Sequence, residues 1–149
     1  MREIWQRLDA IVAGLKQRAA LEQLRFVREY GSESAEVNVR SPLAVVGVVQ
    51  ASRERGYIGR HVTASLHGET YSAEAEIRLY APADANGNGL AEIVSEVLAG
   101  LNAADEEHII TSASASSIEF DPDLNAVFRR VTFHMAFCVC EEEWEDGLL

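Results

Sequence analysis

Two runs of alternating side chains constrain this chain more than any other feature. In "YSAEAEIRLY" (71–80), Tyr71, Ala73, Ala75, Ile77 and Leu79 face one way, and Ser72, Glu74, Glu76 and Arg78 face the other. In "AVFRRVTFHMAFCVC" (126–140), Val127, Val131, Phe133, Met135, Phe137 and Val139 keep the same two-residue period. That period belongs to strands with one dry face and one wet face, the arrangement an antiparallel sheet permits. Something apolar must cover the dry face, and the sequence offers two helices for it. Ile4, Trp5, Leu8, Ile11, Val12, Leu15 and Ala19 recur at helical spacing, so residues 2 to about 22 read as one amphipathic helix, with Gly14 inside it. Leu90, Ile93, Val94, Val97, Leu98 and Leu101 predict a second helix of about three turns, with Asn102 placed to close it in the left-handed conformation.

The remaining segments fit around these. "AEVNVR" alternates and "LAVVGVVQ" is nearly all apolar, which predicts a strand bent at Ser41 and Pro42 whose second half is covered on both faces. "LRFVREY" reads equally as a helix end or a short strand. "ASRERGYIGR", with three arginines and two glycines, reads as an exposed loop or hairpin. The stretch from residue 60 to 80 is one long strand or two with a turn at Gly68. "HIITSASASSIEF" is a strand of small residues that should pair with 126–140 across the turn "DPDLN". With 149 residues and no repeat, the expectation is a single α+β domain over 1–140, a mainly antiparallel sheet with two amphipathic helices on one face, followed by an acidic tail over 141–149.

Charge narrows the function classes. Thirteen basic side chains against 24 acidic ones give −11, and there is no basic stripe with which to displace counterions from nucleic acid. No run approaches the roughly 20 apolar residues that cross a bilayer, and "MREIWQRLDA" is too charged for a signal peptide. Cys138 and Cys140, one residue apart on a strand, suit a disulfide poorly and fit a reducing compartment.

Candidate chemistry is thin. Asp84, Asn86, Asn88 and Gly89 have the spacing that opens a calcium loop, but the twelfth position is Ser95 where a bidentate carboxylate is needed, so a turn leading into a helix explains them better. His134, Cys138 and Cys140 share a strand face but spread over about 20 Å, too far for one zinc, and the cysteines read as small buried hydrophobes. The serines of "TSASASS" lack a base within reach or a strained turn, and His61, His67 and His108 lie in polar surroundings. "GNG" is not a phosphate loop. No catalytic residue, metal or cofactor is expected. Arg53, Arg55 and Tyr57, and Trp144 in the acidic "EEEWEDGLL", are the residues marked for contact with another protein, because exposed Arg and aromatic side chains are favoured at interface hot spots.

The layout resembles the tail terminator, or tail-completion, family of tailed bacteriophages and phage-like particles. The likeness is carried by the helix "REIWQRLDAIVAGL", the Pro-led strand "SPLAVVGVVQ", the strand "EIRLYAP" running through a Gly-containing loop into "LAEIVSEVLAGL", and the late hairpin "SIEFDPDLNAVFRRVTFHMAF". It implies a non-enzymatic virion protein, assembled in the host cytoplasm, that forms a homo-oligomeric ring, usually six-fold. The ring would cap the head-proximal end of the tail tube, stop tube polymerisation and meet the head connector or neck protein, while DNA passes through without specific binding. The alternatives are another neck, head-completion or baseplate ring protein, a small cytoplasmic enzyme, or a binding module unconnected with phage.

Overall fold

The computed structural model describes residues 2–29, 39–57, 66–83 and 89–142, the side chains of 55–57, 66, 67 and 140–142 excepted. Helix α1 (Arg2–Lys16) is followed by strands β1 (Arg25–Arg28), β2 (Leu43–Tyr57) and β3 (Leu66–Pro82), helix α2 (Leu90–Ala104), and strands β4 (Ile110–Ala115), β5 (Glu119–Asp121) and β6 (Ala126–Glu142). They form one six-stranded sheet in the order β1-β2-β3-β6-β4, with β5 also paired to β6. Every pairing is antiparallel except β1 with β2. The expected α+β domain is therefore present, with its sheet mixed by that one parallel pair.

Both alternating runs behave as their period requires. Ala75, Ile77, Leu79, Val131 and Phe133 are fully excluded from solvent and pack with Ile4, Leu8, Leu15, Val97 and Leu101 of the helices in one core. Burying side chains of this size contributes about 1.5–3 kcal/mol each, and the helices owe their position to it. They also pack on each other at unusually close range. A Cβ added to Gly14 would lie 2.8 Å from the Cβ of Ala104, and one added to Gly100 would lie 2.6 Å from Leu15. Gly14 is thus kept for packing, whatever it costs in helix propensity.

Several boundaries differ from expectation. α1 stops at Lys16 rather than near residue 22, because Arg18 turns extended (φ −75°, ψ 129°) and a short 3-10 turn, Ala19–Leu21, carries Leu21 into the core. α2 is longer than three turns, and Asn102 lies inside it, exposed. The closure is made by Asp105, a buried charged residue whose carboxylate accepts the amide N–H groups of Ile109 (2.9 Å) and Ile110 (2.8 Å). His108 provides the left-handed step (φ 55°). "LRFVREY" resolves as the strand β1. In "AEVNVR", residues 35–38 lie outside the described residues, and 39–42 are not strand.

The segment 43–47 is covered on both faces, as its apolar run predicts. A second, smaller cluster on the face away from the helices makes this possible: Val27, Leu43, Val45, Tyr80, Ala126 and Phe128, with Val39 and Leu124 against it. Tyr80 and Phe128 stack at a tilt, with ring centroids 5.0 Å apart.

Candidate interaction surface

Of the two readings of "ASRERGYIGR", loop or hairpin, the second holds: residues 51–57 form the second half of β2, paired antiparallel with 67–73 of β3. Polar composition does not prevent this, because a strand at the end of a sheet can be held by its backbone ladder. At roughly 3.3 Å per residue, the 17 residues of β3 and of β6 each span about 56 Å, against about 22 Å for each 15-residue helix. β2, β3 and β6 therefore continue past the helix layer as a three-stranded extension. β3 is one strand through Gly68, which settles that point in favour of a single element.

A bulge at Val49 aims the side chains of this extension. Before it, even-numbered residues of β2 stand opposite the helix-facing residues of β3, as in Val46↔Ile77; after it odd-numbered ones do, as in Arg53↔Tyr71. Val49 itself is left 55% exposed. Arg53 is exposed and lies 3.8 Å from the Glu69 carboxylate, which also accepts the Tyr71 hydroxyl. That hydrogen bond, helped by burial of the ring and by the Glu3 charge, raises the Tyr71 phenol above its usual value. Tyr71 in turn stacks on Phe137 (5.2 Å, 14°), and Arg7 of α1 covers the other ring at 4.4 Å. One of the arginines marked from the sequence is thus joined through Glu69 and Tyr71 to the last layer of the core. In register Arg55 stands opposite Glu69 and Tyr57 opposite His67. Trp144 lies outside the described residues, and β6 runs through Glu142, so the first two residues of the expected tail belong to a strand.

The face of the sheet away from the helices is polar beyond the small cluster. Arg78 donates to Glu29 (2.8 Å), its Nε lies 3.3 Å from Glu76, and it reaches the Tyr80 hydroxyl at 3.4 Å. Burial raises the Tyr80 phenol above its ordinary value. Farther along, a groove of about 340 Å³ is lined by Gln50, Ser52, Ser72, Glu74, Thr111 and His134, among others. It brings together the residue types an enzyme would need, but not in working order. Ser52 and Ser72 hydrogen-bond each other at 2.7 Å, and His134 turns its Nε2 to Glu74 at 3.5 Å rather than to a serine. A nucleophile paired with its base is what hydrolytic chemistry requires, and this groove pairs each with something else.

Cys138 is exposed on that face, 3.5 Å from the Thr70 hydroxyl, where a buried thiol was expected; even-numbered residues of β6 point away from the helices. His108 is exposed as expected, His61 lies outside the described residues, and so do Asp84, Asn86 and Asn88. Gly89 precedes α2 with φ 83°, the left-handed conformation its lack of a side chain allows, and Ser95 is an exposed residue of α2. Among the described residues no group of three or more His, Cys, Asp or Glu is placed to hold a metal ion. No helix among them is long and apolar enough to cross a membrane. No protein-family model matches the chain, and no curated protein matches it.

Proposed function

We propose that this chain is a structural ring component of a phage or phage-like particle, capping the head-proximal end of the tail tube, ending tube polymerisation and joining tail to head. The observation that carries the proposal is the disparity between strands and helices. Three long strands project beyond a small helix layer, carrying exposed Arg53 and, at the next register positions on the same strand, Arg55 and Tyr57. Heterologous ring contacts need two different complementary patches on each subunit, and a net charge of −11 keeps DNA sliding past rather than adhering. In this reading the sheet and its loops face the channel and the tube, and the helices form the outer wall. Trp144, an indole in an acidic tail, anchors the C-terminal segment on a neighbouring chain. No cofactor takes part.

The test is tube length. Tail tube protein polymerised with the wild-type chain should give tubes of limited length, each with a ring at one end. Arg53→Glu combined with Arg55→Glu should abolish capping while leaving the fold intact by circular dichroism. Unlimited growth in the presence of the wild-type chain discards the proposal.

A further inference from the structure

The two outer strands of the sheet differ in chemistry and in the charge around them. From residue 108 to 118 there is no Lys, Arg, Asp or Glu, and this uncharged stretch contains all of β4, one outer strand. Outer strands are ordinarily blunted by charge, proline or bulges, because their unpaired backbone groups invite another strand. The bulge here lies at the start of β4, between Ile110 and Ser112, leaving 112–115 regular. Ser116 donates its N–H to the Arg130 carbonyl at 2.8 Å. By the two-residue alternation of an antiparallel ladder, Ser112 and Ser114 also turn their backbone groups to β6, and Ala113 and Ala115 turn theirs outward. Both alanines are exposed, and no described strand pairs with β4 on its outer side.

The opposite edge is β1. Glu29 donates its N–H to the Val46 carbonyl at 2.7 Å, so Val27 and Glu29 direct their backbone groups to β2 while Phe26 and Arg28 direct theirs away. No described strand pairs with β1 on that side. Charge distinguishes the two edges. β1 itself carries Arg25 and Arg28, the latter also paired within the chain to Asp9 at 2.9 Å, whereas β4 has no charged residue and is flanked by acids, Glu106 and Glu107 before it and Glu119, Asp121 and Asp123 after it. Strand direction fits as well. β1 runs with β2, and three successive antiparallel pairings lead from β2 through β3 and β6 to β4, so β1 and β4 run in opposite directions.

We infer that β4 of one copy pairs edge to edge with β1 of a second copy, continuing the sheet between subunits through an antiparallel, charge-complementary junction. The contact is head-to-tail, so it uses up one edge of each chain and leaves the other open until a ring closes. The closure rests on the ring reading above. The contact itself needs only two copies.

Sedimentation of the full chain over a concentration series tests it. The wild type should associate, less so as salt screens the two edges. Ala113→Pro removes an N–H that faces outward, which an edge strand tolerates, and should weaken association at least tenfold with little change in the melting temperature. Ala115→Glu, which adds no proline strain, should strengthen association by adding an acid to the β4 edge on the helix side of the sheet, the side on which Arg28 lies. Arg25→Glu should weaken it. Rings that persist unchanged in Ala113→Pro and Arg25→Glu overturn the edge pairing and leave the ring reading standing. A wild type that stays monomeric at every concentration, alone and with tail tubes, overturns both.

Discussion

Ile77 and Glu76 are neighbours in β3, yet Ile77 is wholly buried beneath the helices and Glu76 stands on the opposite face in an ion pair with Arg78. The same contrast runs along β6, where Phe133 is buried and His134 exposed. Free energy of folding is concentrated on one face, and the other keeps its polar side chains because little depends on excluding water from them. The contrast breaks down at two places. Near Tyr80 and Phe128 the outer face acquires an apolar cluster of its own, and beyond Tyr71 the strands outrun the helices, with Arg53 and Thr70 exposed. The first thickens the sheet where four of its strands begin or end; the second leaves a three-stranded extension beyond the helix layer.

A matched pair of substitutions probes this contrast most strongly. Phe133→Ala should cost about 3–5 kcal/mol by chemical denaturation, through lost burial and the cavity left behind. Thr132→Ala, one residue away on the other face, should stay within about 0.5 kcal/mol. Equal losses would mean that the outer face is covered by something within the chain. Asp105→Ala comes next, at about 2–3 kcal/mol, since two amide groups at the end of the helix layer lose a charged acceptor. Asp105→Asn should lose less, because one acceptor oxygen remains. Gly100→Ala forces a methyl group against Leu15 and Arg18 where α1 and α2 meet, and should cost about 1–3 kcal/mol by the same assay.

The two tyrosines sharpen the comparison through pH. Both phenols have raised values in the folded chain, Tyr71 chiefly from its hydrogen bond to Glu69 and Tyr80 from burial. The unfolded chain therefore ionises first, near the ordinary tyrosine value of 10.0. Their contribution to stability is complete below that pH and is lost as pH rises toward the folded values. Stability measured across this alkaline range should fall less steeply in Tyr80→Phe and in Tyr71→Phe than in the wild type, and an unchanged slope would contradict the assignment. The smallest effect is expected at Glu74→Gln, where an exposed pair with His134 contributes under about 0.5 kcal/mol at neutral pH.

How much of this was legible in the sequence depended on how many signals each residue carried. The faces of β3 and β6 and the stripes of both helices were readable because periodicity and burial agree there. The choice of hairpin over loop at 51–57 was not, since "SRERGY" has neither an apolar face nor β-branched residues, and its conformation comes from pairing with a strand about 16 residues away in sequence. Asn102 and Asp105 both suit a helix end; which one serves is decided by where the chain must turn to reach β4. The bulge at Val49 has no local signal at all inside an apolar run. The exposure of Cys138 follows from its even position in β6, a period that overrides the usual burial of cysteine. Of the residues marked for contact, Arg53 can be placed on the three-stranded extension beside Glu69, and Trp144 falls beyond the described residues.

The central claim is that this chain acts through the surface it presents once several copies have closed around a hole. Electron microscopy of the purified full chain, alone and mixed with tail tubes, tests it most directly. The account predicts closed rings with an open centre, free or seated on one end of each tube. Isolated single copies in both preparations, with bare tube ends, would contradict it.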